Sequence, residues 1–335
     1  MSQTIKPAAP DNGAARAMLY GPVADQMVEV EDLLREQMRS QFPEVDEMVR
    51  YGCLLGGKRL RPALLLLAGQ AVGELSRDHI VLGAVVEMIH TATLIHDDVL
   101  DGAEMRRHLA TVNSRWDNAA SVLLGDFLFT HAFYLASTTD STFACRTIGQ
   151  TTNIVCEGEL RQKCNRGDLS LAEDDYLQII NAKTAALVEC SCQLGAHCAG
   201  GDLQTVARLA RYGADLGAAF QIADDLLDVV GDPSTVGKTL GTDLEQRIAT
   251  LPLIHAMTSA SDSERERLEG ALAAGGAIAE EALESSLARH QSIDFARAKA
   301  NGFASRAREQ LNGLPDSPAL QVLIGLTEFV VQRSH

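Results

Sequence analysis

Two clusters of the form Asp-Asp-x-x-Asp limit what this chain can fold into. Asp97, Asp98 and Asp101 close one apolar stretch, just after Leu94 and Ile95. Asp224, Asp225 and Asp228 close another, interleaved with Ile222 and Leu226, 127 residues further on. On a helix, positions i and i+4 share a face, so Asp97 and Asp101 point the same way with Asp98 beside them, and the second cluster repeats the arrangement. Like charges at that spacing destabilise even an exposed helix by roughly 0.2–0.5 kcal/mol per pair. Beside apolar neighbours the penalty grows, unless a cation sits among the carboxylates. One such cluster reads equally well as a solvated helix end; two copies of one spacing favour cation binding. Carboxylate oxygens without His or Cys partners suit a hard divalent ion, and Mg²⁺ typically takes one or two carboxylates together with substrate phosphates.

The remaining chain supplies helices to carry these clusters. Ala and Leu are abundant and aromatic residues make up only 4%, which favours helix over sheet. Leu33, Leu34 and Met38 mark one apolar stripe, and Pro62 opens an uncharged run from Ala63 to Ala71. A helix that is apolar all round belongs in the middle of a bundle. The spacing predicts further helices over 78–101, 118–137, 143–163, 173–199, 203–230 and 245–258, with loops at 164–170 and 231–242. The weakly patterned segment 259–291 reads as a peripheral helical excursion. No alternating run is bounded by Asn-Gly or Asp-Gly turns, so strands are not expected. Residues 1–20, rich in Ala, Pro and Gly, are expected to be a flexible tail, and 21–335 a single all-α domain.

The formal charge of −16 excludes a non-specific nucleic-acid binder, which needs a basic footprint. Met1 to Ala15 has no basic region followed by an apolar one, so no secretion signal is expected. The most apolar stretch, Ile80 to Ile95, is interrupted by Glu87 and His90 and followed by Asp97 and Asp98. It reads as a buried helix and not as a membrane span. Seven cysteines without framework spacing fit a reducing cytoplasm, each read as a small packed thiol.

A metal held between acidic helices predicts a polyphosphate there, and phosphates need cations as well. Three compact basic groups are available: Lys58, Arg59 and Arg61 after the Gly56-Gly57 pair, then Arg106 and Arg107, then the Lys-Thr pairs at 183–184 and 238–239. A lone basic residue is by default a solvated surface charge, but a glycine-flanked triplet ahead of a fully apolar helix is harder to read that way. The segment GDPSTVGKT at 231–239 is not a phosphate-binding P-loop, because five residues separate its glycines and it follows a helix instead of a strand.

In chain order, GGKRLRP (56–62), EMIHTATLIHDDVLD (87–101), the arginine pair 106–107, GDFLF (125–129), EGELRQ (157–162), KTAAL (183–187), FQIADDLLD (220–228) and GKTLGTDL (237–244) resemble the trans-type isoprenyl (polyprenyl) diphosphate synthases, most of all the long-chain octaprenyl and decaprenyl members. The resemblance implies an all-α isoprenoid synthase fold, with helices around a deep central active-site cavity, assembled as a homodimer. It implies that Asp97 and Asp101, with Asp224, bind Mg²⁺ bridging an allylic diphosphate, while Asp98, Asp225 and Asp228 support the metal shell. It further implies that Arg106, Lys183, Thr184, Gln221 and Lys238 contact the allylic diphosphate, and that Lys58, Arg61, His90 and Arg107 hold isopentenyl diphosphate. His90, by default a core histidine, stands seven residues before Asp97 as the family pattern has it. His96 is expected to be structural, hydrogen-bonded in the core. Two departures stand out. His108 follows the arginine pair where the family often has Gly, and Ile248 stands where many members carry Lys; the neighbouring Arg247 is assigned no contact.

The implied reaction is Mg²⁺-dependent sequential condensation of isopentenyl diphosphate onto an allylic diphosphate, for quinone side chains, with peripheral membrane contact on product release. Cations neutralise the charge growing on the leaving diphosphate, the isopentenyl double bond attacks the allylic carbocation, and the departing diphosphate takes the proton lost. In this family an aromatic four or five residues before the first aspartate stops growth early. Thr93 and Ala92 stand there, with Ile89 and Met88 one turn further, so the short-product block is missing. Phe127, Phe129 and Phe133 are candidates for the cavity floor, against the default of ordinary packing. Three alternatives stay open: a shorter-chain geranylgeranyl or farnesyl synthase; a non-catalytic regulatory subunit, against which all six aspartates stand; and a cyclase, against which Lys58, Arg59 and Arg61 stand.

Overall fold

In a computed structural model of the chain, residues 20–54, 57–230, 244 and 246–332 are described. The tail expected over 1–20, apart from Tyr20, and the loop expected over 231–242, with Lys238, lie outside them. After a single turn at Gly21–Val23, helices α1 (Ala24–Gln37), α2 (Pro43–Leu54), α3 (Leu60–Val72) and α4 (Arg77–Leu100) follow one another. A two-residue antiparallel ladder, β1 (Met105–Arg106) with β2 (Leu109–Ala110), then leads into α5 (Val112–Arg115), α6 (Asn118–Ser137) and α7 (Thr142–Cys164). Helix α8 (Glu173–Ile180) passes through a wider π-type turn, Asn181–Ala185, into α9 (Ala186–Cys198), and α10 (Leu203–Val230) follows. The chain continues with α11 (Leu251–Ser259), α12 (Asp262–Ala274), α13 (Gly276–Arg289), α14 (Ser292–Gln310) and α15 (Pro318–Gln332).

Side-chain caps explain several of these starts. Asp117 accepts from the Ala120 N–H at 2.7 Å to begin α6, and Ser141 accepts from the Ala144 N–H at 3.1 Å to begin α7. Helix α11 starts six residues later than the periodicity predicts, because Pro252 must sit in a first turn. Placed inside a helix begun at 245, its ring would clash with the preceding turn. The weakly patterned stretch 259–291 forms the paired helices α12 and α13, joined at Gly275 and Gly276, both at positive φ.

The core is built around α3, as its uncharged run requires: Leu64, Leu65, Leu66 and Leu67 are all fully buried. At roughly 1.5–3 kcal/mol per buried leucine side chain, this helix anchors α4, α9 and α15, which pack on it. Helix α4 packs on α6 along its other side, and α10 lies between α9 and α14. A second apolar cluster joins α8, α10, α11, α13 and α14, with Phe303 and Val331 touching both clusters. By length and composition α4 and α6 could each cross a membrane, but 78% of the most apolar 18-residue window of α4 is buried inside the protein, as the interrupted apolar stretch predicts. Cys190 and Cys192 are packed thiols as expected; Cys156 and Cys164 instead face outward along α7 and are exposed.

His79 closes the start of α4. Its Nδ1 accepts from the Ser76 N–H at 3.0 Å and its Nε2 donates to the Gly195 carbonyl at 3.1 Å, which ties α4 to α9. The bond from Ser76 needs an unprotonated Nδ1 and so a neutral ring, and burial holds the imidazole below its ordinary value although the Gly195 bond opposes this. The unfolded chain therefore takes up a proton that the folded one refuses, so this contribution is present above the ordinary histidine value, about 6.5, and is lost as pH falls. We expect the urea midpoint to drop between about pH 7 and pH 5.5, and the drop to be shallower in His79→Asn. An equal drop in both proteins would remove His79 as its source.

Candidate active site

Both aspartate clusters end up on the last turns of long helices, the first closing α4 with Asp101 as its cap and the second near the end of α10. A helix carries partial negative charge at this end, so carboxylates here are doubly unfavourable without a cation. The two helix ends meet across a cleft of about 220 Å³ lined by Asp101, Gln162, Arg166, Lys183, Gln221 and Asp225, among others. Asp97 and Glu159 line a small recess that opens from it and shares Asp101, Gln162, Arg166 and Lys183.

Around the first cluster, each aspartate has its own environment. Asp98 turns inward and is 2% exposed. Arg106 donates to its Oδ1 from Nε and Nη2, both at 2.8 Å, while its Oδ2 is buried without a hydrogen-bond partner among the described residues. Burial raises Asp98 despite Arg106. Arg106 is delivered by the β1–β2 ladder, whose two connecting residues, Arg107 and His108, both have positive φ. A two-residue hairpin demands that backbone, and histidine enters it more readily than most side chains, which is how His108 stands where glycine is usual. Asp101 accepts from Arg166 at 2.5 Å. Burial pushes the Asp97 carboxyl up to about 7, with Glu159 and Asp101 adding to the rise and Lys183 and Arg106 opposing it.

Lys183 stands in the π-type turn and donates to Glu159 at 2.9 Å and Gln162 at 2.8 Å. Burial alone would push its ammonium down, but Asp97, Glu159 and Asp101 together hold it up. The contact needs Gly158: a Cβ there would lie 2.7 Å from the Lys183 backbone nitrogen. Around the second cluster, buried Asp225 accepts from the Tyr176 hydroxyl at 2.6 Å and from the Gln221 amide at 2.7 Å. Gln221 in turn accepts from Thr184 at 2.8 Å. Asp224 and Asp228 lie half-buried on the same helix.

Most of the remaining predicted basic residues gather around His90, seven residues before Asp97 on α4. Arg61, Arg107, Arg106 and Arg59 all lie close enough to His90 to act on its charge; with burial they hold it well below its ordinary value, as a neutral ring. A Cβ on Gly57 would strike the Arg107 guanidinium, at 2.4 Å, so the glycine makes room for that side chain. Lys58 is exposed beside it. Burial lowers Arg61, partly offset by Glu87, and its Nε has no partner among the described residues. Arg59 is committed elsewhere, donating to Glu31 at 2.7 Å and to Glu87 at 2.8 Å.

Glu87, Glu159, Gln162, Arg166 and Tyr176 belong to this architecture but were assigned no role from the sequence. Glu87 had one local signal, a charge inside an apolar run; Tyr176 had none, since Asp225 lies 49 residues away. His96 is hydrogen-bonded as expected, to the Val122 carbonyl at 3.1 Å, but it is half-buried between α4 and α6 and not in the core, because Gly125 leaves it a slot there. Ile248 lines the cleft, where Leu171, Ile179, Ile180 and Ala249 are further apolar residues. Phe129 stacks on His96 at 5.9 Å and Phe127 on His131 at 6.0 Å, whereas Phe133 is 38% exposed.

The donor set fits a divalent ion that draws most of its ligands from water and phosphate. Carboxylates crowd two helix C-termini and Asp97 is held against ionisation, but no three His, Cys, Asp or Glu side chains converge into a ready-made cage among the described residues. The polyprenyl synthetase family profile matches residues 42–288. An octaprenyl diphosphate synthase from Escherichia coli is 38% identical over 314 residues, covering 93% of this chain and 97% of that protein. A solved decaprenyl diphosphate synthase from Rhodobacter capsulatus superposes with a TM-score of 0.89 at 37% identity, over 96% of this chain and 99% of that one. A polyprenyl synthase from Caulobacter crescentus, solved with calcium and isoprenyl diphosphate, superposes at 0.88 with 34% identity, over 97% of this chain and 100% of that one.

The Arg59–Glu87 pair yields a prediction. Glu87 is 1% exposed, so removing its partner strands a buried charge. Arg59→Met should lower the unfolding free energy by about 3–5 kcal/mol, and adding Glu87→Met should restore most of it. Chemical denaturation of both variants measures this; a double variant no more stable than the single one would contradict it.

Proposed function

The chain belongs to the polyprenyl synthetase family, and from that premise we propose that it is a long-chain trans-polyprenyl diphosphate synthase. It adds isopentenyl diphosphate repeatedly to an allylic diphosphate to make quinone side chains, as a Mg²⁺-dependent homodimer in the cytoplasm. The observation that carries this is the convergence of both aspartate clusters with Lys183, Thr184, Gln221 and Arg166 on one cleft, beside a separate basic group around His90. One group of cations per diphosphate is what a two-diphosphate condensation requires.

In this proposal Asp97 and Asp101, with Asp224, hold the metal, and Asp98, Asp225 and Asp228 support that shell. When bound, the ion supplies Lewis-acid neutralisation of the leaving diphosphate. Lys183, Arg106, Thr184, Gln221 and Lys238 orient the allylic diphosphate, with Asp98 aiming Arg106, and Asp225 aiming Gln221 toward Thr184. Lys58, Arg61, Arg107 and His90 hold isopentenyl diphosphate; the neutral His90 ring donates a hydrogen bond there without adding charge. The apolar walls of α4 and α6 exclude water from the allylic cation. Buried Ala92 and half-buried Thr93, with Met88 and Ile89 one turn further, leave the tail a path along α4, toward Phe129 and Phe127 as floor.

The dimer is supported by the outward face of α6, where Val122, Leu123 and Tyr134 are 43%, 68% and 65% exposed, an apolar patch unusual for a monomer. The free cysteines, two of them exposed, fit a reducing compartment. Peripheral membrane contact follows from the product, whose long apolar tail must leave for a bilayer.

The test is incubation with Mg²⁺, farnesyl diphosphate and labelled isopentenyl diphosphate, followed by sizing of the products. Products of eight units or more are expected. Arrest at four would replace this reading with a geranylgeranyl synthase, and no elongation would remove it. Asp97→Ala and Asp224→Ala should each lower kcat by at least about 10²-fold, on the scale of losing one electrostatic stabiliser of the transition state. Light scattering should give twice the chain mass for the wild type and a monomer for the double variant Leu123→Glu, Tyr134→Glu.

A further inference from the structure

The charged contacts of the cleft differ in how firmly they are made. The Arg106–Asp98 pair is buried on the carboxylate side and accepts no rearrangement without stranding Asp98. The Arg166–Asp101 pair is different. Both side chains are about one-third exposed, at 33% and 28%, and both line the main cleft and its recess. A pair so exposed adds little net stability, so it exchanges partners readily.

Arg166 is nevertheless aimed. It leaves the end of α7 on a backbone held at both sides: the Asn165 N–H donates to the Arg161 carbonyl at 3.1 Å, and the Gly167 N–H donates to the Arg247 carbonyl at 2.8 Å. The second bond fastens the Arg166 loop to segment 246–250, which supplies Ile248, Ala249 and Thr250 to the same cleft wall. The guanidinium therefore starts from a fixed base on the cleft wall and lies within the cleft when it leaves Asp101 for an anion bound there.

We propose that Arg166 is a place-holding cation for the metal site and a ligand of the allylic diphosphate. Without metal it neutralises Asp101, at the C-terminal end of α4 where an unpaired carboxylate is least tolerated. A divalent ion on the Asp101 carboxylate sets like charge against the guanidinium that holds its Oδ1. Metal binding therefore releases the guanidinium, whose planar fork matches a phosphate oxygen pair. The exchange keeps positive charge over both anions at every stage: Arg166 on Asp101 before loading, and the ion on Asp101 with Arg166 on diphosphate afterwards. It frees a cation in the same cleft that the apolar Ile248 lines.

The proposal rests on the function given above and is tested apart from turnover. Binding of Mn²⁺ alone is measured by paramagnetic resonance, and binding of inorganic pyrophosphate at saturating Mg²⁺ by calorimetry, for the wild type, Arg166→Ala and Arg166→Lys. Arg166→Ala should bind Mn²⁺ about tenfold more tightly, having lost the competitor, and pyrophosphate about tenfold more weakly. Arg166→Lys, which keeps the charge and loses the fork, should keep wild-type Mn²⁺ affinity and still bind pyrophosphate more weakly than the wild type. Affinities in Arg166→Ala that fail to move in opposite directions overturn the proposal while leaving the function intact. A wild type that binds neither probe overturns the function and this proposal with it. Because Arg166 is partly exposed, thermal melts of both variants should match the wild type, which separates these outcomes from misfolding.

Discussion

The arrangement of this protein depends on negative charge placed where helices least accept it. Six aspartates occupy the C-terminal turns of two long apolar helices, against both their mutual repulsion and the helix dipole. A fold that holds them there needs cations at the same spot. Much of the surrounding structure delivers them: a hairpin with strained connecting residues brings Arg106, a π-type turn brings Lys183, and a pinned loop brings Arg166. The apolar core exists to hold the two helix ends opposite one another, with α3 as the buried post on which α4 and α9 pack.

These charged contacts fall into two grades, and burial separates them. Arg59–Glu87 and Arg106–Asp98 each contain a carboxylate almost without exposure, so neither partner can be spared. Both act as scaffold, fixing the direction of arginines near the site. Lys183–Glu159 and Arg166–Asp101 are partly open to the cleft and surrender less when a ligand takes over one partner. A site that must bind, ionise and release a diphosphate many times in one synthesis needs both grades. The first keeps geometry between cycles and the second lets charge be redistributed within a cycle.

The net charge of −16 bears on this only indirectly. It excludes nucleic acid, which must be neutralised over a long footprint, but not a diphosphate, which is neutralised locally. Lys183 and Arg166 line the cleft beside its carboxylates, so an acidic net charge does not argue against an anionic substrate. Most of the remaining acidic residues lie on the surface in exposed or weakly paired positions such as Asp32–Arg35 and Glu328–Arg308.

Much of this was legible in the linear chain because it depends on local periodicity. Helices α4, α6, α7 and α10 fall within a residue of where the apolar spacing puts them, and the aspartate clusters and basic groups lie on or beside them. The expectation of a hard cation and phosphate comes from residue type and i,i+4 spacing. What spacing could not show is which carboxylate faces the cleft and which is spoken for. Asp98 is locked by Arg106 eight residues away and Asp225 by Tyr176 across 49 residues, while Asp101 is paired more openly with Arg166 across 65. Those partnerships arise where separate helices pack, as does the place of Gly158 against Lys183. A helix period fixes the face a side chain points from; only the packing of other helices decides what it meets there.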